Sequence, residues 1–207
     1  MPGWIANETV ERVWRALLDP IAGYFSEKGC SPDMLTVAGL PLMIAAGFSY
    51  ANGWLFWSAL FIFLAGMLDI LDGQVARKLR TTSAGAFLDS TLDRWGELFL
   101  FLGLATLFRD SIFFYVAVLA LGGSFITSYA RAKAEGLGEK CREGAFQRPE
   151  RLIVLGVSAI LNYLLNLYRG KYSLIFVKIG LFVVMVFALF TAVQRTYSVY
   201  KRLKKKL

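Results

Sequence analysis

The chain has 207 residues, 57% of them hydrophobic and only 18% charged, with 23 Lys and Arg against 15 Asp and Glu for a formal net charge of +8. That charged share is below the average for a soluble domain, and several apolar stretches approach the roughly 20 residues needed to cross a bilayer. With no histidine and only Cys30 and Cys141, composition excludes a His-based triad, a His–Cys zinc site, a haem histidine and a disulfide scaffold.

The opening MPGWIANETVERVWRALLDP has early acids and no apolar run before a cleavage site, so it does not read as a secretory signal. Over residues 5–27, Val10, Val13, Trp14, Leu17 and Leu18 recur at helical spacing, with Glu8, Glu11, Arg12 and Arg15 between them. This predicts an amphipathic helix, either lying along the membrane interface or packed on a helix bundle, with Pro20 kinking or ending its first part. A turn follows at 29–33, where Ser31 or Asp33 can cap the next helix. Six spans are predicted over 34–50, 54–70, 85–108, 111–130, 150–167 and 173–194, the second continuing past Asp69 and Asp72 towards Arg77. Residues 136–149 form the longest polar interval, Pro149 suits the first turn of a helix, and the chain closes on the basic YKRLKKKL.

The expected fold is an all-α integral membrane protein with one domain over 1–207. It comprises an interfacial helix and linker over 1–30, a six-helix bundle over 31–195 and a basic tail over 196–207. Six spans leave both termini on one side. Most Lys and Arg fall in the N-terminal segment, around Arg77 and Arg80, between Arg131 and Arg151, and in the tail, whereas the opposite loops hold only Arg109, Arg169 and Lys171. The positive-inside rule then puts the termini and basic loops in the cytoplasm of a multi-pass cell-membrane protein, with both cysteines as free thiols. Charge distributed this way favours anionic lipid and phosphorylated substrates over nucleic acid. Trp54, Trp57 and Trp95 suit interfacial anchors, Gly103, Gly122 and Gly123 suit close helix contacts, and Lys178 is the one clear cation near a span interior.

Between Asp69 and Asp93 the chain reads DILDGQVARKLRTTSAGAFLDSTLD. Asp69 and Asp72 are three apart, and Asp89 and Asp93 are four apart, so each pair shares one helix face. Four carboxylates among apolar flanks need a counter-charge. Two hard cations about 3.5–4 Å apart would serve, Mg²⁺ or Mn²⁺ being favoured by oxygen ligands. The alternative is a salt-bridge network with Arg77, Lys78, Arg80 and Arg94. Gly73 and Gly85 would let a ligand approach the backbone, and Arg77 has the planar fork suited to phosphate.

The series Asp69-x2-Asp72-Gly73-x2-Ala76-Arg77-x7-Gly85-x3-Asp89-x3-Asp93 resembles the signature of the CDP-alcohol phosphatidyltransferase family, which more often has eight residues before the second glycine. The resemblance implies an N-terminal amphipathic helix, six membrane helices and a homodimer whose site opens to the cytoplasm. It implies that Asp69, Asp72, Asp89 and Asp93 hold the metals, with Asp93 also the catalytic base. Asp72, Gly73, Ala76, Arg77 and Gly85 would line the CDP-lipid pocket for CDP-diacylglycerol or CDP-archaeol.

Beyond the signature, SYARAKAE, QRPER and VQR resemble segments of the phosphatidylinositol-phosphate synthases of actinobacteria and their archaeal counterparts, Gln147 standing where that subgroup commonly has Glu. By that resemblance Arg131, Arg148 and Arg195 would hold the phosphate of inositol 1-phosphate, and Ser128, Lys133 and Arg151 are candidates for the rest of the acceptor pocket. Glycerol 3-phosphate is the alternative acceptor. The alternative of another class, a divalent-cation transporter, needs a line of acids through the spans, which the sequence does not supply, and no internal repeat supports it.

Overall fold

The computed structural model describes residues 19–79, 82–141, 143–144, 146–170 and 172–205. A first helix, α1, is described over 19–27. It is followed by α2 (Pro32–Ala51), α3 (Leu55–Leu79), α4 (Ser83–Leu107), α5 (Phe113–Gly136), α6 (Arg148–Arg169) and α7 (Ile175–Lys204). The described residues contain no strand. The amphipathic pattern expected from Val10 to Leu18 lies outside the described residues, as do Arg80 and Lys171. The described part of α1 is packed on the bundle: Ala22 clusters with Leu35, Leu71 and Val75, and Asp19 pairs with Lys78 at 2.9 Å.

Helix boundaries follow local chemistry. The Ser31 hydroxyl accepts from the Met34 N–H at 3.3 Å and Pro32 opens α2. The Thr82 hydroxyl accepts from the Gly85 N–H at 2.9 Å and caps α4. Gln147 and Glu150 form a capping box at the start of α6, where Pro149 occupies the first turn. Within that box the Glu150 carboxylate accepts from the Gln147 N–H at 3.0 Å. Gly53 (φ 71°) and Gly170 (φ 61°) turn the chain in the left-handed region that favours glycine.

The six long helices close a ring in the order α2–α4–α5–α7–α6–α3, each packed on the next and α3 returning to α2. Met43, Tyr50, Ile62, Leu100, Leu155 and Leu181 fill its interior. A Cβ built on Gly47 of α2 or Gly103 of α4 would collide with the other helix's backbone, so that crossing requires both glycines. Gly123 packs tightly on α7, whereas Gly122 faces open space. Polar side chains tie the ring: the Tyr50 hydroxyl donates to the Leu155 carbonyl at 2.9 Å. Asn162 Oδ1 accepts from the N–H groups of Phe176 and Val177 at 2.8 and 3.2 Å, supplying α7 from α6 with the side-chain cap that Leu174 at its start does not give. Lys178 Nζ lies 5.4 Å from the centre of the Phe113 ring.

Among the described residues, five helices, α2, α3, α5, α6 and α7, are long and apolar enough to cross a membrane. Against the expected six, α4 falls outside this set: it is 25 residues long, but it carries Asp89, Asp93 and Arg94 in its first half and Glu97 just beyond. α7 continues without a break past residue 195 to Lys204, so the bundle and the basic tail are one helix there.

Candidate functional site

The last turns of α3 and the first turns of α4 meet because both helices lie against α2. Ligand atoms of Asp69, Asp89 and Asp93 come within 4.8 Å of one another. Asp72 faces the same small cavity, where its Oδ2 accepts from the Thr36 hydroxyl at 2.6 Å. From the start of α6, Arg148 Nη1 donates to Asp69 Oδ1 at 2.7 Å and lies 2.9 Å from Asp93 Oδ1. Arg94 Nη1 stands 3.7 Å from Asp93 Oδ2. The counter-ion inside the cluster is therefore Arg148, which the sequence assigned to the acceptor side, rather than Arg77 or Lys78. Four carboxylates against these guanidiniums leave negative charge in excess, and the donors are all carboxylate oxygens. The residues present thus fit a hard divalent cation such as Mg²⁺ or Mn²⁺.

A cavity of about 530 Å³ opens beside the cluster. The four aspartates and Gly73 form its α3–α4 side, and Ser128, Arg131, Arg148, Arg151 and Arg195 come from α5, α6 and α7. Arg131 pairs with Glu135 at 2.9 Å. Arg151 is buried and gives Nε and Nη2 to Glu97 Oε1 at 2.9 and 2.6 Å, while its Nη1 has no protein partner. Arg195 donates Nε to the Glu143 carbonyl at 2.7 Å and Nη1 to the Thr127 carbonyl at 2.9 Å. Lys133 is exposed and is not among the cavity's walls.

A second, apolar groove of about 510 Å³ runs between α3 and α6. Ile62, Phe63, Met67, Leu152 and Ile153 line it, and Asp69, Gly73, Gln74, Arg77 and Arg148 form its polar part. Gly73 borders both cavities, with open space where a Cβ would stand. Ala76 and Gly85 border neither; a Cβ on Gly85 would come within 2.9 Å of Asp33 Oδ1.

The end of α7 clamps the loop before α6. Arg202 bonds the Glu143 carboxylate and the Lys140 carbonyl, and this guanidinium holds the Glu143 carboxyl below the usual carboxylate range. Both cysteines are free, and burial pushes the Cys141 thiol up.

Sequence reasoning missed Thr36, Gln74 and Glu97. A signal existed for Glu97, an acid one turn beyond Asp93 in an apolar run. Thr36 and Gln74 lie in ordinary helical surroundings that give none.

A family model described as CDP-alcohol phosphatidyltransferase matches residues 30–194. The chain is 34% identical over 193 residues to the archaetidylinositol phosphate synthase of Methanothermobacter thermautotrophicus, covering 93% of each chain. It is 32% identical over 200 residues to the phosphatidylinositol phosphate synthase of Streptomyces avermitilis, covering 93% of this chain and 82% of that one. Among solved structures, the phosphatidylinositol phosphate synthase of Mycobacterium tuberculosis with CDP-DAG bound superposes with a TM-score of 0.76 at 29% identity, over 87% of this chain and 92% of that chain. The same enzyme in complex with manganese and citrate also superposes with a TM-score of 0.76.

Proposed function

The chain belongs to the CDP-alcohol phosphatidyltransferase family, and from that membership we propose that it transfers a phosphatidyl-type group from a CDP-linked lipid to inositol 1-phosphate. The products are a phosphatidylinositol phosphate, or its ether-lipid analogue, and CMP. The observation that carries this reading is the single 530 Å³ cavity with four carboxylates on one side and Arg131, Arg148, Arg151 and Arg195 on the other. It suits two phosphorylated substrates, one diphosphate against a metal site and one monoester against guanidiniums. Serine or free inositol would leave the arginines without an anion. Glycerol 3-phosphate presents the same monoester and is the second reading.

Asp69, Asp72, Asp89 and Asp93 would hold Mg²⁺ or Mn²⁺, two ions in the family's manner, and the metal would supply positive charge against the diphosphate and the departing CMP. The chain's own groups do the rest. Arg77 and Gly73 border the headgroup end of the apolar groove, which suits the donor's chains. Arg131, Arg148 and Arg195 orient the acceptor phosphate, with Ser128 and Arg151 beside them. Asp93 takes the proton of the acceptor hydroxyl as its oxygen attacks the phosphorus bearing the lipid, and the bond from that phosphorus to the CMP oxygen breaks. The same reading makes α4 the sixth span, with its acidic half at the cytoplasmic surface. It puts the termini and site in the cytoplasm and takes the protein as a homodimer.

The test is CMP release from CDP-diacylglycerol with Mg²⁺ in detergent, comparing inositol 1-phosphate, glycerol 3-phosphate, serine and inositol as acceptors. Inositol 1-phosphate should be preferred, and Asp93→Asn should cost at least about a hundredfold in kcat. A preference for glycerol 3-phosphate would overturn the acceptor assignment, and no release with any alcohol would overturn the transferase reading.

A further inference from the structure

Gln74 is 4% exposed, and both atoms of its side-chain amide are buried without a hydrogen-bond partner. Among the described residues none bonds this amide. Gln74 is one of the residues lining the groove between α3 and α6, beside Asp69, Arg77 and Arg148 and a longer apolar stretch. An orphaned buried amide is destabilising, so the protein gains if a molecule entering the groove brings a polar atom to that depth.

Position along α3 identifies the atom. At about 1.5 Å per residue, Arg77 lies about 4.5 Å from Gln74 towards the helix end, and Met67 about 10 Å away in the other direction. Along one groove this helix thus presents a cation, then a neutral amide, then Asp69, which is held by Arg148, and then apolar side chains. A glycerolipid has the same order: phosphate, linkage to the chain, hydrocarbon. In a diacyl lipid the middle group carries carbonyl oxygens, strong acceptors for an amide N–H. In a dialkyl lipid it carries ether oxygens, which are poor ones. Gln74 Nε2 has two hydrogens to give.

We propose that Gln74 hydrogen-bonds the ester carbonyl region of the lipid donor and so makes the groove selective for ester-linked over ether-linked chains. This rests on the transferase reading above and adds to it the class of donor.

Binding is the readout, so a protein that released no CMP would refute the transferase reading while leaving this measurement intact. The affinities of a CDP-diacylglycerol and of the CDP-dialkylglycerol of equal chain length are measured from the melting-temperature shift each produces, in the unsubstituted protein and in Gln74→Met. The unsubstituted protein should bind the diacyl donor about tenfold more tightly, the worth of one good neutral hydrogen bond. Gln74→Met should weaken diacyl binding about tenfold and dialkyl binding less than twofold. Its melting temperature without donor should be equal or higher, because an orphaned amide has been removed. Equal affinities in the unsubstituted protein, or equal weakening for both donors, would overturn the proposal. So would a lower donor-free melting temperature with the ester preference retained, which would make Gln74 a structural residue.

Discussion

Glu97 and Arg151 are each about 2% exposed in their side chains and meet through a forked contact at 2.6 and 2.9 Å. Removing one partner of such a buried pair costs about 3–5 kcal/mol, because the other charge stays behind without compensation. Glu97→Gln should therefore lower the melting temperature and also release the guanidinium of a residue that lines the 530 Å³ cavity. Steady-state kinetics should then show KM for inositol 1-phosphate up about tenfold with KM for the lipid donor little changed. Glu97→Leu combined with Arg151→Met should regain stability but not acceptor affinity, and equal changes in both KM values would refute the positioning role. The aspartates were legible from sequence because paired acids at helical spacing in apolar flanks must be neutralised by a cation, whether a metal ion or a basic side chain. Arg148 was singled out, but its bonds to Asp69 and Asp93 were not foreseen: they connect residues 79 positions apart in one case, and spacing carries no information over such a distance.

Helix ends were readable where the deciding group is local. Ser31, Thr82 and Pro149 sit at the starts of helices that the sequence bounded to within a few residues. The start of α7 was readable only as a hydropathy change, because its cap, Asn162, comes from α6. Glycine shows the same limit: Gly103 and Gly122 look alike in sequence, yet only Gly103 is pressed against another backbone. Gly103→Val should cost about 1–3 kcal/mol by forcing α2 and α4 apart, roughly 2–12 °C in melting temperature, while Gly122→Val should stay within about 2 °C. Equal effects in detergent-purified protein would contradict the α2–α4 crossing.

For the molecule as a whole, composition identified an all-helical membrane protein, and the closed ring explains why one end of it holds everything chemical. Each of α3, α4, α5, α6 and α7 contributes at least one charged side chain to that end. The ring order itself was not legible, since α2 packs on α4 as well as on its chain neighbour α3, a choice made by close glycine contacts rather than by pattern. The groove between α3 and α6 has a kinetic consequence. A substrate whose chains occupy an apolar furrow between two membrane-crossing helices arrives sideways, by diffusion in two dimensions, and its effective concentration is its share of the surrounding amphiphile rather than its amount per litre. Under the proposed function, the phosphorylated alcohol would arrive through water and obey the ordinary scale. Adding inert detergent at constant total donor should therefore slow turnover in proportion to the fall in the donor's mole fraction, and leave KM for the alcohol, in molar units, where it was. A rate that followed bulk donor concentration alone would mean that the lipid enters from the aqueous side. With sideways entry, the enzyme's velocity in a cell is governed by how crowded its own bilayer is with other lipids.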